Sequence, residues 1–472
     1  LKEYPPYKVF ISFIWVLIAL FLFRILISNS TIELGGHEIR LPRLSVDRTV
    51  IVRGSGPVIA APIYKPADEP AESQLKYEIS DLKASHGKLV HPQPVEYPDE
   101  TQMALLGFFE SLQKSKLEGK KTRILYYGDS QIEGDRIVQY LRQSFQKEFG
   151  GSGSGLYALY EPLYTSLIFE LSNSKNWKKY GVVRSGNGPG ENRFGAALSY
   201  CIFSGIKAFS SFNLRTSNDQ FNQISDGRLY IESPISHTEV GLSSMLDNFT
   251  ATVPSRPGIQ AIPFAFEQSA EQFKISINST GSPIIHGISF ESDDGVIVDH
   301  IPLRGSAGLE FSSINPEVYK QHLSYLDPQL IILHFGINVV PAKRSEFDYY
   351  RQLLVREIKT IRSMAGDIPI LLIGVSDMGK IRGSHARSFA SVPKVSAAMR
   401  DAARETGSAF FDLFQFMGGM ESCILWEKAH PPLLRKDYTH FTIPGGAVVA
   451  DGIYAALIEG FQRYVEQGEN GE

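Results

Sequence analysis

The sequence predicts an α/β protein, a parallel-sheet sandwich interrupted by an all-β sandwich insertion and preceded by an N-terminal transmembrane helix. Three observations lead there. Buried-strand runs alternate with helical periodicities over residues 99–164 and again over 296–472, the rhythm of βα units. Between them, over 165–295, helices become scarce and β-rich runs separated by turn residues take over, as in a sandwich. Near the start of the chain, residues 9–27 are almost wholly apolar.

That first run, Val9 to Ile27, has Arg24 as its strongly polar member and as a helix would span roughly 28 Å, about the thickness of a bilayer core. It reads as a membrane anchor or signal segment over residues 1–30, and the weak Ser28-Asn29-Ser30 cleavage site favours an uncleaved anchor. Lys2 and Lys8 precede it, which places the N-terminus in the cytoplasm and exports the remainder of the chain. Residues 31–98 carry Pro42, Pro57, Pro62, Pro66, Pro70, Pro92 and Pro94 among short polar pieces, the composition of a stalk or linker.

The α/β pattern then opens with a helix through Met103, Leu105, Leu106, Phe109 and Leu112, a strand at Ile124 to Tyr127, and a second helix through Ile137, Tyr140, Leu141 and Phe145. In the insertion, strands are expected at 227–232, 249–253, 259–266 and 273–277. Beyond it, strands are expected at 296–301, 330–333, 368–375 and 409–411, with helices around 346–364, 391–405 and 444–466. The two α/β stretches are read as one domain split by the insertion.

Composition excludes several classes. Hydrophobic residues at 43% and charged residues at 21% are ordinary for a globular chain, so it is neither disordered nor polytopic throughout. Lys and Arg number 47 against 51 Asp and Glu, a formal charge of −4, without the basic excess that nucleic acid demands. Cys201 and Cys423 can form one bridge at most and are read as two buried thiols.

Four positions follow expected strands and carry chemistry. Gly128-Asp129-Ser130 stands between a strand and a helix, where open α/β sheets place their sites, so the serine N–H is expected near a helix N-terminus. Asp437-Tyr438-Thr439-His440 sets a carboxylate three residues before an imidazole, close enough in a tight turn to fix its tautomer for taking a serine proton. Gly305 and Asn338 follow two further strands and offer N–H donors suited to an oxyanion. Each also has a plain reading as turn chemistry; four in order change the balance. Weaker signals are the 150–155 glycine run, read as a helix stop and loop; His430 with Asp437 and His440, a metal set only if the triad is abandoned; His334, read as a core histidine; and Trp177, Tyr180 and Trp426, sugar platforms or core aromatics.

On these blocks the sequence resembles the SGNH, or GDSL-type, hydrolase family. The first block is Gly128-Asp129-Ser130, the second offers Gly305, the third is Gly336-Ile337-Asn338 and the last is Asp437-Tyr438-Thr439-His440. The resemblance implies a flavodoxin-like sandwich in which Ser130 is the nucleophile, His440 its base and Asp437 the orienter. It also implies an oxyanion hole from the Ser130 and Gly305 N–H groups and the Asn338 amide, with no cofactor. Two departures stand out: Val339 occupies a position that is commonly acidic, and roughly 175 residues separate Ser130 from Gly305, far more than neighbouring βα units need. The β insertion fills that gap, an arrangement similar to bacterial peptidoglycan O-acetylesterases with a carbohydrate-binding-like module. Gly186, Gly188 and Gly195 compete with Gly305 for the second block.

The expected protein is an exported serine esterase of the bacterial cell envelope, anchored in the inner membrane, with its catalytic domain in the periplasm or outside the cell. It would remove O-acetyl groups from a cell-wall or exported polysaccharide. The same acyl-enzyme delivered to a sugar hydroxyl would make an O-acetyltransferase, with a membrane-bound O-acyltransferase as partner; a non-catalytic glycan-binding protein is the third reading.

Overall fold

The computed structural model describes residues 31–34, 37–40 and 87–469, with short gaps at 88, 100–102, 164–165, 184–187, 190–191, 216–223 and 384. The expected membrane span Val9–Ile27 lies outside the described residues. Among the described residues no helix is long and apolar enough to cross a membrane. Two compact units divide the chain. In the first, β1 (Thr31–Leu34) and β2 (His37–Arg40) pair as an antiparallel hairpin.

The second unit has two layers of core around a parallel sheet. After α1 (Leu106–Glu118), β3 (Thr122–Gly128) enters as a fully buried strand, apolar along its length because both faces are covered. Helix α2 (Val138–Phe149) follows, and a glycine-rich crossover then leads into the insertion. There, β4 (Gly155–Tyr157), β5 (Phe169–Asn173), β6 (Trp177–Gly181), β7 (Ser199–Phe203) and β8 (Lys207–Leu214) come first. They are followed by β9 (Ile224–Ser233), β10 (Thr238–Ser243), β11 (Asn248–Val253), β12 (Arg256–Ala270), β13 (Gln272–Ser279) and β14 (Ile284–Phe290). Two antiparallel sheets result, ordered β11-β10-β13-β8-β5 and β12-β9-β14-β7-β6, with β4 paired to β14.

The chain returns through β15 (Val296–Pro302), α3 (Pro316–Leu326), β16 (Leu330–His334), α4 (Asp348–Ala365) and β17 (Ile370–Ile373). A projecting hairpin, β18 (Gly379–Arg382) and β19 (His385–Ser388), precedes α5 (Val392–Glu405) and β20 (Ala409–Phe411), and α6 (Leu413–Phe416), α7 (Ser422–Glu427) and α8 (Ile443–Glu469) complete the chain. Asn315 caps α3 by accepting from Glu317 and Val318 N–H, with Pro316 at the first helical position. The parallel sheet is ordered β15-β3-β16-β17-β20, so its first strand in sequence lies between its second and third. That reversal is a topological switch point. Alternation along β3 sends Leu125 and Tyr127 into the core shared with α3, α4 and α5, and Ile124 and Tyr126 into the core shared with α1, α2 and α8.

Two boundaries differ from the sequence reading. Residues 89–97, assigned there to the stalk, are part of the α/β unit: Val95 is buried, Glu96 bridges Phe410, and His91 N–H donates to Phe416 O at 2.8 Å. They cover the edge strand β20, whose open backbone groups need partners, and prolines are compatible with such a strap. The insertion sheets already include β4, ten residues before the expected start, because Gly150, Gly151, Gly153 and Gly155 all adopt positive φ and turn the chain across the returning segment 291–296. That crossover is what the glycine run does. Finally, the insertion is not separable: Tyr200, Tyr230, Ile259 and Ile284 share one apolar cluster with Tyr127 of β3 and Tyr319 and Leu323 of α3.

Both cysteines are buried free thiols. Burial pushes Cys201 up to about 11 and Cys423 up to about 12, the latter helped by the Asp377 carboxylate.

Candidate active site

The register of the parallel sheet gathers three blocks at one edge. Gly128, the last residue of β3, lies level with Pro302 of β15 and His334 of β16. Ser130, Gly305 and Asn338 therefore leave the sheet together at its carboxyl end, around the switch point. Gly128 is required there, because a Cβ would lie 2.9 Å from Ile132 and 3.0 Å from the His334 carbonyl.

The Ser130 turn departs from expectation in one respect. Helix α2 does not begin at Ser130; a short 3₁₀ turn, Glu133–Asp135, comes first, and within it Gly134 and Asp135 adopt φ of 71° and 68°, which keeps it from running into the helix. Ser130 consequently sits on a tight turn rather than at a helix N-terminus. Its Oγ lies 2.9 Å from His440 Nε2, and His440 Nδ1 lies 2.7 Å from Asp437 Oδ2. The second carboxylate oxygen of Asp437 accepts the backbone N–H of Thr439 and His440 at 2.9 and 3.0 Å. Burial pushes the Asp437 pKa upward, but the His440 hydrogen bond and charge and the two N–H donors outweigh it, leaving it below the ordinary carboxylate value. An ionised Asp437 holds the Nδ1 proton and presents Nε2 to the serine.

Gly305 occupies the third position of a turn closed by Ser306 N–H donating to Leu303 O at 2.9 Å, and its φ of 80° is glycine's region. Asn338 Nδ2 donates to Ser306 O at 2.7 Å, tying the third block to the second. Of the competing glycines, Gly186 lies outside the described residues. A Cβ on Gly188 would meet Tyr200 and Tyr180, and one on Gly195 would meet His322 of α3 and His286 of β14, so the first is packed within the insertion and the second between the insertion and α3. His430 is exposed, whereas Asp437 and His440 are committed to the chain leading to Ser130. Trp426 is fully buried and Trp177 nearly so, their N–H groups donating to Leu89 O and Phe209 O; Tyr180 is half-buried and stacked on Tyr200. His334 bonds Tyr126 OH through Nδ1 at 3.0 Å, and burial pushes its pKa down to about 3.

Sequence reasoning did not single out the residues that join these blocks. Gln131 Nε2 donates to Thr439 O at 2.8 Å and to Ser376 Oγ at 2.9 Å. Arg304, beside Gly305, pairs through two nitrogens with the buried Glu133. Gln131 and Glu133, one and three residues after Ser130, thus hold the histidine turn and the glycine turn. Glutamine and arginine carry no positional signature, and no spacing rule links positions this far apart in sequence. Asp129 is buried as well: burial raises its pKa to about 7 against the pull of the Gln131 and Ile337 N–H groups.

A hydroxyl, an imidazole and an ionised carboxylate in line, at the switch point of a parallel sheet, are the equipment of nucleophilic acyl transfer. No protein-family model and no curated protein matches the chain. Among solved structures, a peptidoglycan O-acetylesterase is similar at TM-score 0.64 and 19% identity, over 78% of this chain and 99% of that one. The likeness is one of fold. A family two carbohydrate esterase from Cellvibrio japonicus (9% identity, 62% of this chain, 98% of that one) and an acetyl xylan esterase (18%, 34% and 80%) match at TM-score 0.26 each, too low to define a shared fold.

Proposed function

We propose that the protein is a serine esterase that removes O-acetyl groups from a cell-wall or exported polysaccharide. The observation that supports it is the unbroken line from Ser130 Oγ through His440 to Asp437, at 2.9 and 2.7 Å. Ser130 Oγ attacks the acetyl carbonyl as His440 Nε2 takes its proton. The oxyanion is met by the Ser130 and Gly305 N–H groups and the second N–H of the Asn338 amide. Collapse breaks the ester bond; the departing glycan oxygen takes the proton from His440 and acetyl stays on Ser130. Water, deprotonated by His440, attacks this ester, and acetate leaves as Ser130 recovers its proton.

The glycan comes from the fold likeness to a peptidoglycan O-acetylesterase, and placement in the cell envelope from the apolar run at 9–27. The test is acetate release by the full chain from p-nitrophenyl acetate and from O-acetylated peptidoglycan and xylan, beside Ser130→Ala. The variant loses one oxygen at a turn and keeps its fold, so its turnover should vanish with an unchanged melting temperature. Wild-type rates in a folded Ser130→Ala protein would remove the serine mechanism.

A further inference from the structure

The rim of the site beside His440 concentrates basic residues. Gly379 N–H donates to Tyr438 O at 2.9 Å, so the β18–β19 hairpin begins in direct contact with the Asp437–His440 turn. Its register sets Lys380 opposite Arg387 and Arg382 opposite His385. Residues two apart share a face of a strand, which puts Lys380, Arg387 and His385 on the same side of the ribbon. No Asp or Glu occurs from Gly379 to Arg400, and Arg435 and Lys436 directly precede Asp437. This concentration sits in a chain whose formal charge is −4.

Like charges set directly across a ribbon weaken it. The opposite face gives little back, since Ile381 there is 67% exposed. Glu421, a carboxylate that reaches the hairpin, accepts from the backbone N–H of Ser388 at 3.3 Å at its base, in register with the other face. Lys380 Nζ lies 4.3 Å from the centre of the Phe389 ring, holding that ammonium at the end of the hairpin nearest the site.

We propose that this face is a subsite for the carboxylates of an anionic polysaccharide, the polymer whose acetyl esters are presented to Ser130. The proposal rests on the esterase reading and adds the charge class of its substrate. Charges at a rim draw an anionic chain to the site and weaken with salt.

The experiment compares the full-length wild type with Lys380→Gln/Arg387→Gln on three acetyl esters: p-nitrophenyl acetate, neutral acetylxylan and O-acetylated polygalacturonate. Binding of unacetylated polygalacturonate is measured separately, so that the subsite is read without turnover. The double variant should lose kcat/KM roughly tenfold on acetylated polygalacturonate, bind polygalacturonate more weakly, and keep its rates on the other two substrates. Wild-type binding should fall as salt rises. Lys380→Glu/Arg387→Glu should deepen the loss, and its retained rate on p-nitrophenyl acetate certifies the fold. Unchanged binding in the variants, equal losses on acetylxylan, or wild-type binding to phosphatidylglycerol vesicles but not to polygalacturonate would overturn the subsite. Failure of the wild type to hydrolyse any of the three esters would instead overturn the esterase reading, with the binding result still standing.

Discussion

Gln131 Nε2 donates to the carbonyl oxygen of Thr439 at 2.8 Å, so the residue after Ser130 grips the residue before His440. The Ser130–His440 distance is thereby set by one buried side chain bridging segments that are far apart in sequence. Replacing Gln131 with Leu keeps volume and removes both N–H donors. We expect kcat to fall by on the order of 10²-fold, because a displacement of about 1 Å in a catalytic pair costs that much, with KM for a small acetyl ester unchanged. A loss of stability without a change in kcat would make Gln131 a structural residue.

Asn338 contributes one N–H to Ser306 O and, in the proposed mechanism, the other to the oxyanion. Asn338→Ala should lower kcat by about 10²–10³, roughly 2.7–4 kcal/mol, because the contact strengthens as charge develops on the oxygen. Steady-state kinetics on p-nitrophenyl acetate decide the matter, and a change confined to KM would assign Asn338 to ground-state binding.

Asp129 carries a sign opposite to that of a salt-bridged carboxylate. Its pKa is raised from 3.8 to about 7 by burial, so across that window the folded protein holds a proton that the unfolded chain has released. Stability from this group is complete below the window and declines as pH rises through it. Thermal melts should show the wild type losing ground to Asp129→Asn between about pH 4.5 and about pH 7.5. Two curves that stay parallel would show that Asp129 does not titrate there.

Arg123 of β3 ties the insertion to the parallel sheet. Its guanidinium meets Glu291 at 2.5 Å and Asp299 at 2.7 Å, all three side chains being almost fully buried. Arg123→Met takes the cationic partner from the buried Asp299, while Glu291 keeps Lys121 and Arg228, and should cost about 3–5 kcal/mol, measured by urea unfolding. A single cooperative transition is expected, because sandwich and α/β sheet share a core; two separated transitions would show that the insertion melts by itself.

The elements and the candidate positions were legible in the sequence wherever the governing interaction is local. Strands such as Leu330–His334 are continuous apolar runs because both faces of a parallel sheet are covered. Helices α4 and α5 announce themselves by periodicity, and Asp437 and His440 are three residues apart within one turn. Tertiary structure alone decided the rest, because the partners are remote. The strap at 89–97 looked like linker until the edge of β20 required backbone partners. Ser130 looked like a helix start until two successive positive-φ residues broke the helix behind it. The grip of Gln131 on Thr439 and of Glu133 on Arg304 joins segments between which no periodicity runs. A side chain's preference for strand, turn or helix is written in its neighbours along the chain. Which distant carbonyl it will hold is set only when the sheet brings the two together.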